Sequence, residues 1–398
     1  MTETNPTTAS ALRRIAIPAA SMAVLLALAA QAGPAAPDPG PAATARSCAA
    51  PGRGAVPPGR LQALARGFSL PGWTDQWPPR EPDVAMLARL RQLGLSHVRL
   101  PVTLEAISDD FGGPAVAARS LGQIDAALAT LLRLGYAVSL DMHPAARFQE
   151  LHRQDPDRAL VVLLAAWRRL AGHYAGTPAD RVFFEVLNEP VVEREVWARQ
   201  GPKVVAQIRT IAPGHTLIYG PTFFQRPEAL DAITPLEDEN IIYAVHFYDP
   251  VSFTHQGQSW EANPAPVRQR IPFPSTSADL ASAVASLRQR GHAAAADNLA
   301  EEYREPWTQE RIDAILAGVA AWSARNDRAV IVNEFGVLSF RAAPEARAAW
   351  VAAVRGSAER HCLGWTHWEY ADGFGFIHRV DGRESLDPTL GPALTGSP

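Results

Sequence analysis

From about residue 60 onward, short apolar runs alternate with longer segments whose apolar residues recur at helical spacing. Continuous apolar strands separated by helices are typical of a parallel sheet covered by helices. Eight such units over this length predict a (β/α)8 TIM barrel that forms a single domain over 59–398. The eight predicted strands are Leu64–Leu70, Ser96–Pro101, Tyr136–Met142, 181–187, Thr216–Tyr219, Ile241–Phe247, 329–333 and 363–368.

The N-terminal region has a different pattern. Arg13-Arg14 precede an uncharged, Ala- and Leu-rich run that ends in Ala30-Gln31-Ala32, which is typical of a secretory signal peptide over 1–32. An uncleaved membrane anchor is the alternative, because eighteen apolar residues almost span a bilayer. Residues 33–58, rich in Pro, Ala and Gly, are predicted to be a flexible linker. We therefore expect an exported protein, periplasmic or extracellular, with membrane attachment only through an uncleaved N-terminus.

Composition excludes some function classes. The 398 residues are 47% hydrophobic and 20% charged, with a net charge of −4, which gives no support for nucleic acid as a partner. No G-x-G-x-x-G loop follows a predicted strand, so we expect no nucleotide cofactor. The two cysteines, Cys48 and Cys362, are far apart in the chain, and we expect no disulfide bond between them. We also expect a monomer.

Two glutamates occupy matching positions at strand ends. Glu189 follows the apolar run that ends in Leu187-Asn188, and Glu334 follows Val330-Ile331-Val332-Asn333. In a parallel barrel the strand ends meet at one face, so residues 145 positions apart in the chain can share a pocket. Two such carboxylates can serve as the acid/base and the nucleophile that cut a glycosidic bond.

Other polar side chains end the remaining predicted strands. Each has an ordinary structural explanation when it is taken alone, but their joint occurrence at strand ends indicates an active site. The set comprises Arg99, His143, Asn188 with Glu189, His246 with Tyr248, Glu334 and Trp368.

This set resembles glycoside hydrolase family 5, the cellulase family of barrel hydrolases, over roughly residues 64–370. The resemblance implies that Glu334 is the nucleophile of strand seven and that Glu189 is the acid/base of strand four. It implies sugar-binding or orienting roles for Arg99, His143, Asn188, His246, Tyr248 and Trp368. No cofactor and no metal are implied, and the expected partner is a β-linked oligo- or polysaccharide.

The implied mechanism sets physical requirements. Glu334 must stay ionised, which a cation (Arg99) and a phenol donor (Tyr248) favour. Glu189 needs a raised pKa, which we expect the negative Glu334 to supply. Carboxylates about 5–5.5 Å apart would give retention of configuration, and the coupled pair predicts a bell-shaped rate profile on the acidic side of neutrality.

Several further residues are candidates for sugar contact or for structural roles. Loop aromatics on the same face are predicted as subsite platforms or as packing: Trp73, Trp77, Phe148, Trp260, Phe374 and Phe376. Glu185 and Asp141 are expected to be inward-pointing structural carboxylates. The long connection 249–306 is either a wall of the substrate cleft or a segment packed on the barrel.

The leading hypothesis is a retaining endo-β-1,4-glucanase. A β-mannanase or a β-glucanase that trims exopolysaccharide remains open within the same resemblance. A catalytically inactive sugar-binding barrel is a more remote alternative. A metal-dependent barrel hydrolase would need a His-x-His on the first strand or three converging ligands, and we expect neither.

Overall fold

The computed structural model describes residues 49–259 and 269–396. The strands of the barrel are β1 (Arg66–Ser69), β2 (His97–Thr103), β3 (Ala137–His143), β4 (Val182–Glu185), β5 (Leu217–Tyr219), β6 (Ile241–Phe247), β7 (Ala329–Phe335) and β8 (Gly364–His367). A separate antiparallel pair consists of β9 (Ile377–Val380) and β10 (Arg383–Leu386).

Helices alternate with these strands. They are α1 (Pro58–Ala63), α2 (Val84–Gln92), α3 (Leu104–Ile107), α4 (Gly113–Arg133), α5 (Ala146–Gln154), α6 (Pro156–Tyr174), α7 (Arg194–Ile211), a 3-10 helix (Pro227–Ala232), α8 (Val251–Thr254), α9 (Ala281–Gln289), α10 (Ala293–Glu302), α11 (Gln309–Asn326), α12 (Pro344–Arg360) and α13 (Leu390–Thr395).

The eight strands pair in sequence order, and β8 pairs with β1 to close the barrel. Every pairing within the barrel is parallel. The predicted (β/α)8 TIM barrel is therefore confirmed. Because all strands run the same way, their C-terminal ends surround one mouth, where side chains from different strands can meet.

At the end where the strands begin, the barrel interior contains an apolar cluster. Inward side chains such as Ala137, Phe183, Ile242 and Ile331 form one cluster, to which residues before β1 contribute Val56 and Leu64. Val56 belongs to the predicted linker, yet it is 1% exposed, and the Ala55 N–H donates to the Glu239 carbonyl. The last part of the predicted linker therefore packs on the barrel.

Local sequence signals account for the start of α6. Asp155, the N-cap of α6, accepts a hydrogen bond from the Arg158 N–H (3.0 Å), and Pro156 occupies the first turn of the helix. The antiparallel β9–β10 pair has no counterpart among the eight predicted strands. The described part of the 249–306 connection packs on the fold, since Phe253, Leu287 and Leu299 are fully buried.

The cysteine prediction was wrong. Cys362 is disulfide-bonded, and the only other cysteine in the sequence is Cys48, which lies outside the described residues. The separation of the two cysteines along the sequence was therefore a poor guide to their pairing. The predicted signal peptide 1–32 also lies outside the described residues. Within the described ranges, no helix is both long and apolar enough to cross a membrane.

Candidate active site

The eight residues predicted from strand ends form one connected network at the mouth of the barrel. Arg99 lies at its centre with a fully buried side chain. Its guanidinium donates to Glu334 (Nη1 to Oε1, 2.5 Å) and to the Asn188 Oδ1 (2.8 Å). It also makes a paired contact with both carboxylate oxygens of Glu185 at 2.8 Å and reaches Asp141 at 3.0 Å.

This arrangement satisfies the predicted structural carboxylates. Glu185 and Asp141 point into the barrel and neutralise Arg99, so neither faces the open pocket as a third catalyst. Burial raises the pKa of Glu185 even though Arg99 opposes this, and the nearby carboxylates together raise the pKa of Arg99 above its usual range against the effect of burial. Both structural predictions are confirmed.

Glu334 reaches the pocket because strand β7 contains a bulge. Val245 of β6 pairs with Val332, but the next residue, His246, pairs with Glu334, so Asn333 is an extra residue in β7. Regular alternation would have placed Asn333 inward and Glu334 outward. With the bulge, Glu334 lies on the same face as His246 and accepts a hydrogen bond from the Tyr248 hydroxyl at 2.9 Å.

Glu189 contacts a histidine. Its Oε1 lies 2.9 Å from His246 Nδ1, which is 3.6 Å from the nearer Glu334 oxygen. One side-chain atom each from Glu189, His246 and Glu334 lie within 4.8 Å of one another. The two carboxylates predicted to meet therefore do meet, and His246 lies between them.

The electrostatics of Glu189 differ from the expectation. Burial raises the pKa of this carboxyl, but the hydrogen bond and charge of His246 outweigh it, so the net pKa is lowered. The expected net increase caused by Glu334 was therefore wrong. Burial lowers the pKa of His246, but Glu334 and Glu189 prevail and raise it. Proton affinity at this site thus moves from the carboxyl to the imidazole.

His143 and Trp368 form the opposite side of the network. The rings stack with centroids 5.7 Å apart, and His143 Nδ1 contacts Asp141 Oδ2 at 2.7 Å. Burial disfavours the imidazolium, but Asp141 outweighs it and raises the pKa of His143 to about 9. His143 Nε2 lies 3.3 Å from the Asn188 side-chain nitrogen, so Asn188 is held between His143 and Arg99.

We expected no three metal-ligating groups to converge. This expectation was wrong, because side-chain atoms of Glu189, His246 and Glu334 lie close to one another. Their chemistry does not fit a metal well. One oxygen of Glu334 is 2.5 Å from the Arg99 guanidinium, whose charge repels a cation, and the other accepts from Tyr248.

The predicted subsite aromatics differ in exposure to solvent. Trp77 is 61% exposed between β1 and α2, with the Arg119 guanidinium 4.7 Å from its ring centroid. Trp73 is 6% exposed and part of the main core, so it offers no open ring face, which corrects the prediction. Trp260 lies outside the described residues.

The phenylalanines of the same prediction are packing residues. Phe148 is buried on α5, so its placement on a loop was wrong, whereas Phe376 lies on the loop before β9 and packs against Phe68. Phe374 is nearly buried and lies edge-on to the Tyr248 ring at 5.8 Å. Of the two roles that the sequence left open for these rings, the structure shows packing.

Sequence reasoning missed the loop after β5. Phe223 and Phe224 are 60% and 62% exposed, and the following Gln225 is fully buried with its Oε1 accepting from the Glu189 N–H at 3.0 Å. Both phenylalanines line a cleft of about 1320 Å³ that also reaches Glu189 and Tyr219. The two adjacent aromatic residues after a strand were the available signal.

A closed parallel barrel with two facing glutamates at its mouth has the architecture of a barrel glycoside hydrolase. The chain matches the sequence model of the cellulase family, glycosyl hydrolase family 5, over residues 61–371, and it belongs to that family.

Individual relatives agree with this assignment. The chain is 32% identical to endoglucanase 3 of Fibrobacter succinogenes over 245 residues, which are 60% of this chain and 37% of the relative. It is 29% identical to endoglucanase C of Acetivibrio thermocellus over 226 residues, which are 52% of this chain and 64% of the relative. The chain thus covers less than two thirds of the length of either of these relatives.

Solved structures share the fold. Endoglucanase Cel5A from Thermotoga maritima superposes with a TM-score of 0.69 at 24% identity, covering 84% of this chain and 98% of that one. The cellulose synthase subunit Z from Clostridioides difficile gives a TM-score of 0.67 at 23% identity, covering 83% of this chain and 99% of that one.

Proposed function

We propose that this protein is a retaining β-glycosidase that cleaves a β-1,4-linked glucan, with Glu334 as nucleophile and Glu189 as acid/base. The observation that carries the proposal is the approach of the two carboxylates, whose nearest oxygens lie within 4.8 Å. This separation suits direct attack on the sugar, for which carboxyl groups stand about 5–5.5 Å apart, and leaves too little room for the water of an inverting enzyme.

In the first step a Glu334 oxygen bonds to the anomeric carbon while the bond to the leaving oxygen breaks. Glu189 transfers its proton to that oxygen, so that the leaving sugar departs as a neutral alcohol. Arg99 and Tyr248 hold the Glu334 carboxylate by hydrogen bonds at 2.5 and 2.9 Å, which fixes its direction of attack. His246, in contact with Glu189, provides the second position for the transferable proton.

In the second step water attacks the anomeric carbon of the glycosyl ester. Glu189, now ionised, accepts the proton of the water, and the bond to the Glu334 oxygen breaks. Two displacements at the same carbon give net retention of configuration. We assign Asn188 to the sugar 2-hydroxyl, because Arg99 and His143 fix its side-chain amide at the pocket.

The choice of a glucan rests on the relatives, which are named endoglucanases. Mannan remains the second candidate, since structures of Thermotoga maritima Cel5A have been determined with mannotriose as well as with cellobiose. We assign Trp77, Phe223 and Phe224 to sugar stacking, because each presents an exposed ring on a connection that follows a barrel strand.

Product analysis tests the proposal. The protein is incubated with carboxymethyl-cellulose, lichenan, laminarin and mannan, and the anomeric form of the first product is followed by NMR. We expect β-configured reducing ends from β-1,4-linked glucan. An initial α-product would overturn the retaining mechanism, and activity on mannan alone would overturn the choice of glucan. Glu334→Gln should lose at least about 10³-fold in kcat; unchanged hydrolysis by this variant would refute the catalytic assignment.

We further propose that the protein is exported. The disulfide bond of Cys362 supports this, because structural disulfides persist mainly in oxidising compartments. N-terminal sequencing of protein recovered from the producing cell's exterior or periplasm should begin near Gly33. Recovery of the full-length chain in the membrane fraction would support the anchored alternative.

A further inference from the structure

Beyond the eight residues of the network, one buried residue contacts the backbone of both members of the Glu189–His246 pair, once through its side chain and once through its main chain. Gln225 accepts a hydrogen bond from the Glu189 N–H through its side-chain Oε1 (3.0 Å). Its main-chain carbonyl accepts another from the His246 N–H (2.8 Å). Those two residues are themselves joined by the 2.9 Å contact between Glu189 Oε1 and His246 Nδ1. Gln225, Glu189 and His246 therefore each contact the other two, and the transferable proton lies between Glu189 and His246.

Glu189 depends on this support because it lies beyond the regular sheet. β4 ends at Glu185, and Val186 and Asn188 donate their N–H groups to Ile218 and Met142 on the two neighbouring strands. The N–H of Glu189 is satisfied by the Gln225 side chain instead. The side-chain amide takes the place of a strand neighbour at the point where the ladder has ended.

The backbone on both sides of this contact adopts an unusual conformation. Glu189 has φ of 42°, and Phe223, Phe224 and Gln225 have φ of 60°, 55° and 52°. Residues other than glycine rarely enter this left-handed region, and three in succession persist only where surrounding contacts enforce them. The consequence of this run is that Gln225 turns inward from an exposed loop.

The neighbouring sequence leaves space for Gln225. A Cβ atom on Gly220 would lie 1.6 Å from Gln225 Nε2, so only glycine at position 220 accommodates the inserted amide. Among the described residues Nε2 has no hydrogen-bond partner although it is buried, whereas Oε1 has the Glu189 contact. A buried donor without a partner destabilises the fold, so the Nε2 group of Gln225 is unfavourable. The functional atom of the amide is Oε1, which accepts the hydrogen bond from Glu189.

We infer that Gln225 is a positioning residue for proton transfer, which holds Glu189 and His246 in the mutual geometry that acid/base catalysis needs. The inference rests on the proposed role of Glu189. A displacement of the acid by about 1 Å can cost on the order of 10²-fold in rate. That loss should appear only where the leaving group needs a proton.

The test compares two aryl β-cellobiosides, one with a phenol leaving group and one with 2,4-dinitrophenol, which departs without protonation. Gln225→Met keeps the side-chain length but removes the acceptor. We expect kcat/KM for the phenyl substrate to fall roughly 10- to 100-fold, while kcat/KM for the dinitrophenyl substrate changes less than about threefold. Gln225→Glu retains an acceptor oxygen and should recover part of the loss on the phenyl substrate.

Gln200→Met is the matched control. Gln200 is a buried glutamine on α7 whose amide bonds to His152 and to the Pro156 carbonyl, away from the site. It should affect stability without any dependence on the leaving group. Should Gln225→Met fail to fold, Gln225→Asn, whose shorter amide does not reach Glu189, takes its place in the same comparison.

The outcomes separate the inference from the proposed function. Glu189→Gln is measured on the same two substrates; if it shows no dependence on the leaving group, the acid/base role itself fails. If Glu189→Gln shows the dependence and the Gln225 variant loses both substrates equally, or neither, then the positioning role of Gln225 is overturned while the proposed function stands.

Discussion

His246 Nδ1 lies 2.9 Å from Glu189 Oε1, and the contact lowers the pKa of the carboxyl while it contributes to raising that of the imidazole. The two groups thus share one mobile proton, which can reside on either partner. A macroscopic pKa then belongs to the pair. The alkaline limb of the profile of kcat/KM against pH therefore reports loss of the proton from the Glu189–His246 pair and not from Glu189 alone.

We predict that His246→Asn moves the alkaline limb of kcat/KM to lower pH. In the parent protein, the proton that Glu189 donates can also reside on the His246 imidazole. This second site stabilises the protonated form of the Glu189–His246 pair. The variant keeps only the carboxyl position, so the proton is lost at lower pH. The measurement is kcat/KM against pH on a soluble substrate.

The control for this profile is His173→Asn, which changes a surface histidine paired with Asp125 and should leave both limbs in place. An alkaline limb that stays fixed in His246→Asn, or moves to higher pH, would show that the two groups do not share the proton.

We predict that Arg99→Met destabilises the fold by about 3–5 kcal/mol, because Asp141, Glu185 and Glu334 would lose their common buried cation. Urea denaturation measures the change. The loss should shrink at acidic pH. Burial already raises the pKa of Glu185, and the variant lacks the guanidinium that opposes this increase, so protonation of Glu185 should stabilise the folded variant as pH falls.

Arg194→Met, at an exposed ion pair with Glu195, is the control and should change stability by no more than about 0.5 kcal/mol. A loss below about 1 kcal/mol in Arg99→Met would mean that the carboxylate cluster does not depend on the guanidinium.

The two tryptophans after β1 should separate stability from binding. Trp73→Ala should cost about 3–5 kcal/mol, since the ring is buried in the core. Trp77→Ala should leave the free energy of unfolding within about 0.5 kcal/mol and raise KM for a polymeric substrate. Denaturation and steady-state kinetics on both variants decide, and an unchanged KM in Trp77→Ala would remove Trp77 from the sugar-binding surface.

The exposed pair after β5 should affect long substrates. Replacing Phe223 and Phe224 with alanine removes two rings that line the cleft next to Glu189, so we expect KM for soluble polymer to rise several-fold, since stacking contributes about 0.5–1.5 kcal/mol per ring. Val161→Ala, on the exposed surface of α6, serves as control. Equal KM values in the parent and the double variant would contradict the stacking assignment.

Removal of metal should not affect activity. The Arg99 guanidinium and the Tyr248 hydroxyl each donate a hydrogen bond to one oxygen of Glu334. Glu189, His246 and Glu334 therefore form a poor set of ligands for a cation. Dialysis against EDTA should therefore keep kcat/KM within about twofold. Activity that disappears on chelation and returns with Zn²⁺ would identify a metal-dependent hydrolase instead.

The strand ends were predictable because parallel pairing places equivalent residues at one face. Apolar runs located β2, β3, β6 and β7 closely enough to bring Arg99, His143, His246 and Glu334 together. This inference needs only the period of the apolar pattern and the alternation of strands with helices, from which parallel pairing follows.

Other features depend on contacts between remote segments, and the sequence did not indicate them. Trp73 and Phe148 were predicted to lie on loops of the open face, but both rings are buried in the main apolar core. The inward turn of Gln225 requires the absent side chain of Gly220, and the disulfide of Cys362 requires proximity that sequence separation hides. The pKa of Glu189 likewise follows from a histidine 57 positions away.

The extra residue Asn333 has a consequence for anyone who redesigns this barrel. Straightening β7 with every residue kept would place Asn333 on the inner face and would rotate the carboxylate of Glu334 onto the helix-facing side, away from the Arg99 cation. A straightened copy of the scaffold could therefore be well formed and inert, because the irregularity itself sets which way the attacking group points.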